Sequence, residues 1–143
     1  MYENHVFNLY LVYKVEKYSD IRTQIKVLAK PKHEKGHTVQ GASYVFSYRI
    51  TIENFSNVSI RLTRRQWYIS DGLFGEREVE GEGVIGQMPT IDPGEKFEYE
   101  SWCPVSSEYG SMTGYFTFEN LKNNEVFYVD IPPMVLLPEF VLN

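Results

Sequence analysis

The stretch YVFSYRITIEN, Tyr44 to Asn54, decides the fold. Tyr44, Phe46, Tyr48, Ile50 and Ile52 alternate with Val45, Ser47, Arg49, Thr51 and Glu53. Side chains along a strand point to opposite faces in turn, so this pattern predicts a strand with one face in a core. NFSN, Asn54 to Asn57, then turns the chain. In the next segment, SIRLTRRQWYISDG, Ile60 and Leu62 share one parity while Trp67 and Ile69 share the other. Both pairs reach one core only if a residue is inserted between them, which predicts a β-bulge at Arg64–Gln66. The alternative is an outward-facing Trp67.

The same reading extends in both directions. DGLFGE, Asp71 to Glu76, is a turn, and REVEG is a short strand running into a glycine loop. IDPGE, Ile91 to Glu95, has proline and glycine at the second and third positions of a type II turn. KFEYESWCPV sets Phe97, Tyr99, Ser101 and Cys103 against Glu98, Glu100 and Trp102. SMTGYFTFEN puts Met112, Gly114, Phe116 and Phe118 on one face, and LKNNE turns the chain into VFYVDI. PMVLLPEFVLN, broken by Pro138, reads as a separate last edge strand. Upstream, TQIKVLAKP (Thr23 to Pro31) is the first secure strand, and KHEKGHTVQGAS is a loop. Residues 1–20 form an extension that fits a strand, a short helix or a disordered segment, and residues 21–143 form one domain. No window of helical length holds a 3.6-residue period. The expected fold is all-β, an antiparallel β-sandwich of about seven or eight strands.

Composition agrees with that class and excludes several functions. Eleven tyrosines and nine phenylalanines in 143 residues favour pleated, half-buried surfaces. The net charge of −5 lacks the basic stripe that nucleic acid or an anionic membrane surface demands, so neither partner is expected. A lone cysteine, Cys103, forms no internal disulfide, which fits a reducing, cytoplasmic location. No apolar run has the length of a membrane span, and FNLYLVY near the start lacks the flanks of a signal peptide.

VEGEGVIGQMP, Val79 to Pro89, contains a literal G-x-G-x-x-G in Gly81, Gly83 and Gly86. Such a fingerprint holds a pyrophosphate only between a strand and a helix, whose N-terminus supplies N–H groups and a dipole. Here Pro89 and a Pro-Gly turn follow, and no P-loop lysine is present. Glu76, Glu78, Glu80 and Glu82 surround the loop, against one cation, Arg77. The glycines are therefore expected to shape a turn where φ is positive.

YVFSYRITIEN, RRQWYISDG, VEGEGVIGQMPTIDPGEKFEYES, GSMTGYFTFEN and FYVDIPP occur in that order, and together they resemble the ApaG family, also called DUF525. The resemblance runs from about Thr23 to Leu137. It implies a fibronectin type III- or immunoglobulin-like sandwich in a small bacterial cytosolic protein. It further implies an interaction module, as in related domains of eukaryotic F-box proteins and a DNA-polymerase-interacting protein. Bacterial members are linked by name to cobalt and magnesium resistance or efflux. The glycine loop is a feature of this family, which keeps Gly81, Gly83 and Gly86 as a candidate ligand loop. Trp102-Cys103-Pro104 departs from the small residues usual in the family, and the N-terminal extension is longer.

Other candidate chemistry is sparse. His33 and His37 are four apart but in a Gly-containing loop, so no metal site is assigned. Cys103 has no neighbouring histidine and lies on an inward face, where it acts as a small hydrophobe. Arg64 and Arg65 beside Trp67, together with an outward Trp102, have the composition of a protein-partner surface. The expected function is a non-enzymatic module that binds a protein or small ligand and bears indirectly on cobalt and magnesium tolerance. The alternative is a protein or hydrolase that takes pyrophosphate or a nucleotide with Mg²⁺ at Gly81–Gly86. No other cofactor is expected. The assembly is a monomer or a dimer through an edge strand.

Overall fold

A computed structural model describes residues 20–37 and 41–142; the extension at residues 1–19 lies outside them. Eight strands follow in chain order: β1 (Ile25–His33), β2 (Tyr44–Asn54), β3 (Ile60–Ser70), β4 (Glu76–Glu82), β5 (Thr90–Ile91), β6 (Lys96–Val105), β7 (Gly110–Asn120) and β8 (Val126–Leu136). They form two antiparallel sheets. One has the order β1-β2-β6; the other has the order β4-β3-β7-β8, with β5 also paired to β3. The architecture is the expected antiparallel β-sandwich. A 3₁₀ turn at Ile21–Gln24, with Asp20 accepting from the Arg22 amide at 3.0 Å, leads into β1. A single helical turn, Glu139–Leu142, follows β8.

The alternation in β2 lands as read. Phe46, Tyr48, Ile50 and Ile52 are buried, opposite Cys103, Ser101, Tyr99 and Phe97 of β6. The facing sheet supplies Ile60, Leu62, Trp67, Ile69, Met112, Phe116 and Phe118. Ile60, Leu62, Trp67 and Ile69 do share one core, and a bulge makes that possible. The register against β7 slips between Leu62 and Arg64, so the extra residue is Thr63, one position before the expected window. Two neighbours hold Thr63 there. Its hydroxyl donates to the Thr117 carbonyl at 3.2 Å, and its carbonyl accepts from the Gly83 amide at 2.7 Å.

One expectation fails at the C-terminal end. VFYVDI and PMVL are not two strands but one, β8. Phe127, Val129 and Ile131 are buried at odd positions; Met134 and Leu136 are buried at even ones. A second bulge explains the change of parity. Gly114 and Met112 of β7 pair with Ile131 and Met134, so β8 carries one more residue than β7 across Pro132-Pro133. Proline is tolerated in a sheet at an edge or a bulge, and this site is both.

A buried asparagine ties the turn regions to the core. Asn54 donates from Nδ2 to the Val58 and Ile91 carbonyls at 2.8 and 2.9 Å. Its Oδ1 accepts from the Ser56 amide and hydroxyl at 2.9 and 2.6 Å. The Asp92-Pro93-Gly94-Glu95 turn closes beside it, with Gly94 at φ +80° and its amide donating to the Asn54 carbonyl at 2.8 Å. Every polar atom of this buried side chain thus has a partner, as low-dielectric burial requires.

Strand position and residue type agree along the sheet edges. Pro31 lies in β1, Pro104 in β6, and Pro132 and Pro133 in β8, all at the end of a sheet. The inner strands β2, β3 and β7 contain no proline. The fourth edge, β4, instead carries exposed Glu76, Glu78, Glu80 and Glu82. On one side of the sandwich β1 packs along β8. On the other, between β4 and β6, a cleft opens.

Candidate functional site

The cleft follows from parity on three strands. After the bulge at Thr63, the odd residues of β3 face inward: Arg65, Trp67 and Ile69. Across the β3–β4 ladder they pair with Gly81, Val79 and Arg77. The opposite lip is β6, where Ser101 and Cys103 follow Tyr99 on the inner face. The resulting cavity of about 450 Å³ is lined by Tyr48, Arg65, Trp67, Arg77, Ser101 and Cys103, among others. Its size is ordinary for a small-molecule site, and it joins an aromatic wall to a few polar groups.

Two arginines face this space in different states. Arg77 is engaged: Nη2 donates to the Pro104 carbonyl at 2.5 Å and lies 3.6 Å from Cys103 Sγ, while Nη1 lies 3.7 Å from Asp71 Oδ2. Among the described residues Arg65 is held through Nη1, which donates to the Glu82 and Gly83 carbonyls at 3.2 and 2.9 Å. Among the described residues no carboxylate lies within ion-pair distance of Arg65. Gly81 makes room for it. A Cβ at that position would stand 3.0 Å from Nη1 and 3.1 Å from Nη2.

Asp71 closes one end of the cleft. It is buried, and its carboxylate accepts from the Ser106 amide at 2.8 and 2.9 Å and from the Ser107 amide at 2.9 Å. This ties the end of β3 to the loop between β6 and β7. Hydrogen bonds to a charged group contribute more than neutral ones, and their removal leaves two half-buried N–H groups without this acceptor. Asp71→Ala is expected to lower stability by about 3 kcal/mol in urea denaturation, with Asp71→Asn losing less. Equal stability of Asp71→Ala and the parent would contradict the tie.

The protonation states are those of a dry wall. Burial pushes the Tyr48 phenol above its ordinary value, opposed by a hydrogen bond from Ser101. Burial likewise raises Tyr99. The Cys103 thiol is pushed up by burial, with Arg77 opposing, so it remains a thiol at neutral pH. Among the described residues, Trp67 Nε1 and the Tyr99 hydroxyl are buried without a hydrogen-bond partner.

The sequence-assigned residues are distributed differently from expectation. Trp67 is only 1% exposed and packs edge-on against Tyr48 and Phe116, so it is removed from the candidate partner surface. The cause is the bulge at Thr63. Strand alternation puts the two adjacent arginines that sequence grouped together on opposite faces, and the same bulge decides which one turns inward. Arg65 turns inward, whereas Arg64 turns outward, 3.9 Å from Glu80. Trp102 does stand on the outer face as its parity predicts, 52% exposed, with the His37 ring 5.2 Å away. Among the described residues no group of three His, Cys, Asp or Glu side chains converges to hold a metal ion.

The glycine loop is a chain reversal. The Val84 and Gln87 amides donate to each other's carbonyls at 2.8 and 2.9 Å, enclosing Ile85 at φ 44° and Gly86 at φ 74°. Positive φ at both central residues is the geometry of a two-residue type I′ hairpin. Gly83, at φ +59°, has no room for a Cβ, which would lie 2.0 Å from the Gln87 carbonyl oxygen. The next regular element is β5, a strand and not a helix. The loop thus moves β3's partner from β4 to β5 at the bulge, and three of its N–H groups are already used.

Fold and cleft define an antiparallel β-sandwich closed along one side and open along the other. The ApaG domain profile, DUF525, matches residues 34–120. Protein ApaG of Mesorhizobium japonicum is 36% identical over 120 residues, covering 83% of this chain and 92% of that protein. A solved X-ray structure of a structural-genomics target is 30% identical, with a TM-score of 0.76 over 83% of this chain and 90% of the other. A crystal structure from Bordetella pertussis is 33% identical, with a TM-score of 0.73 over 79% and 92%. The chain belongs to the ApaG family.

Proposed function

We propose that this ApaG-family chain is a non-catalytic binding module whose ligand is a small molecule seated between β4 and β6. The observation that carries this reading is the cleft itself, with its aromatic wall and inward-facing Arg65. Binding, not catalysis, is favoured because the one thiol in the cleft is held protonated and, among the described residues, no histidine lines it. A buried free thiol also suits a reducing cytoplasm, and any bearing on cobalt and magnesium tolerance is then indirect. Prolines and glutamates along the edge strands favour a monomer over an edge-paired dimer. Trp102 at the mouth offers a contact for a protein partner that reads the loaded state. The alternative, a phosphate compound held with Mg²⁺ at Gly81, Gly83 and Gly86, has less support, since Gly83, Val84 and Gln87 use their amides within the fold.

Amide-resolved NMR against a small-molecule library, with pyrophosphate and Mg²⁺ included, tests the reading. Saturable shifts are expected at the Trp67 indole, Ser101 and Cys103. Shifts confined to Gly83–Gln87 with pyrophosphate would replace this reading with the alternative.

A further inference from the structure

We infer that the cleft is an anion site: it takes a small organic anion with an apolar body, and Arg65 is the residue that binds the charge. The inference rests on the cleft being a ligand site and names the class of ligand. Three observations converge on it. Arg65 lies on the core face of β3, half-buried, with carbonyl oxygens as its hydrogen-bond acceptors and no carboxylate within ion-pair distance among the described residues. A guanidinium with free donors in a partly desolvated position is an anion receptor, because its fork matches a carboxylate or phosphate.

The second observation is the room kept for it. Gly81 faces Arg65 across the ladder at ordinary backbone geometry, and a methyl there would press on the guanidinium nitrogens. The first glycine of the G-x-G-x-x-G run thus serves an anion site, but by leaving space for a cation and not by offering its own amide. The third is the wall beside it. Trp67, two positions along the same face of β3, backs the cleft with a buried ring whose Nε1 has no acceptor among the described residues. Val79 is exposed on the β4 side, with Tyr48, Ile69 and Met112 buried behind it, and this apolar lining suits an apolar or aromatic body. Asp71 and Arg77 largely neutralise each other at the far end, so Arg65 sets the sign of the charge that is missing.

Benzoate and phenyl phosphate are suitable probes, with benzyl alcohol as the neutral comparison. The readout is the NMR signal of the Trp67 indole N–H together with that of Arg65 Nε–H. Both anions are expected to give saturable shifts, with benzyl alcohol weaker by about tenfold or more. Arg65→Met is expected to weaken the anions by about tenfold and leave the alcohol unchanged. Arg64→Met, on the outer face, is expected to change neither. Gly81→Ala supplies a second variant: its methyl would press on the guanidinium while leaving the charge in place, and it is expected to weaken the anions. A preference between the two anions would assign the ligand as carboxylate or phosphate. If the alcohol binds as well as the anions, or Arg65→Met and Gly81→Ala leave anion binding intact, the anion assignment falls while the cleft stands as a ligand site. If all three probes and the library leave the cleft unshifted, the binding reading falls with it.

Discussion

Gly114→Ala is expected to destabilise the domain by about 3 kcal/mol or more, a large share of the ~5–15 kcal/mol that holds a domain of this size together. Gly114 is in the middle of β7, paired with Trp67 on β3. A Cβ there would lie 1.9 Å from the Gln66 carbonyl oxygen, 3.0 Å from its carbon and 3.2 Å from Trp67 Cα. All three are backbone atoms of an inner strand, so no rotamer change relieves the clash. The sheet must part along its central pair. Gly86→Ala provides the comparison. Nothing lies within 4 Å of its added methyl, and only the φ of +74° opposes it, which costs about 1 kcal/mol. Urea denaturation of both variants is the measurement. Should Gly114→Ala prove no worse than Gly86→Ala, the close approach of β7 to β3 is wrong.

The second large effect is expected at Trp67. Truncation to alanine removes a ring that touches Tyr48 at a centroid distance of 5.4 Å and Phe116 at 6.4 Å. Emptying such a site in a core costs about 3–5 kcal/mol. Trp67→Phe is expected to cost far less, about 1 kcal/mol, because it keeps a ring and discards an N–H that has no acceptor among the described residues. The contrast separates packing from hydrogen bonding. A Trp67→Ala variant within 1 kcal/mol of the parent in guanidinium denaturation would restore the outward-facing Trp67 that sequence left open.

Residues with strict alternation announce their environment, and here they did. β2 and β6 are read directly from periodicity, and the type II turn from Pro93-Gly94. The sandwich follows from these. Less legible was anything that depends on where a register slips. A bulge shifts parity for every residue after it, so an error of one position changes which arginine faces the core. The alternation of Trp67 and Ile69 against Ile60 and Leu62 did demand a bulge, and counting forward from it would have turned Arg65 inward. The merger of VFYVDI with PMVL was hidden because Pro132-Pro133 looks like a break, whereas an edge bulge absorbs it. Gly81 was recognisable as special but its reason was not. Its purpose is set by a side chain sixteen positions earlier, across a ladder that local sequence does not encode.

The distribution of prolines and glutamates along the strand ends matters most before the molecule is finished. Sandwich topologies depend on pairings between distant segments, and β2 must wait for β6 while β3 waits for β7. Such chains assemble slowly, and half-built sheets spend time in a crowded cell with their borders bare. A growing sheet recruits a stranger by offering an unbroken row of backbone donors and acceptors. Pro31, Pro104 and Pro132-Pro133 interrupt that row on three borders, and the repeated negative charge of β4 repels a like neighbour on the fourth. The protection is written into the chain and operates from the moment each strand is synthesised. The open side of the sandwich can therefore stay open without becoming a seed for polymerisation.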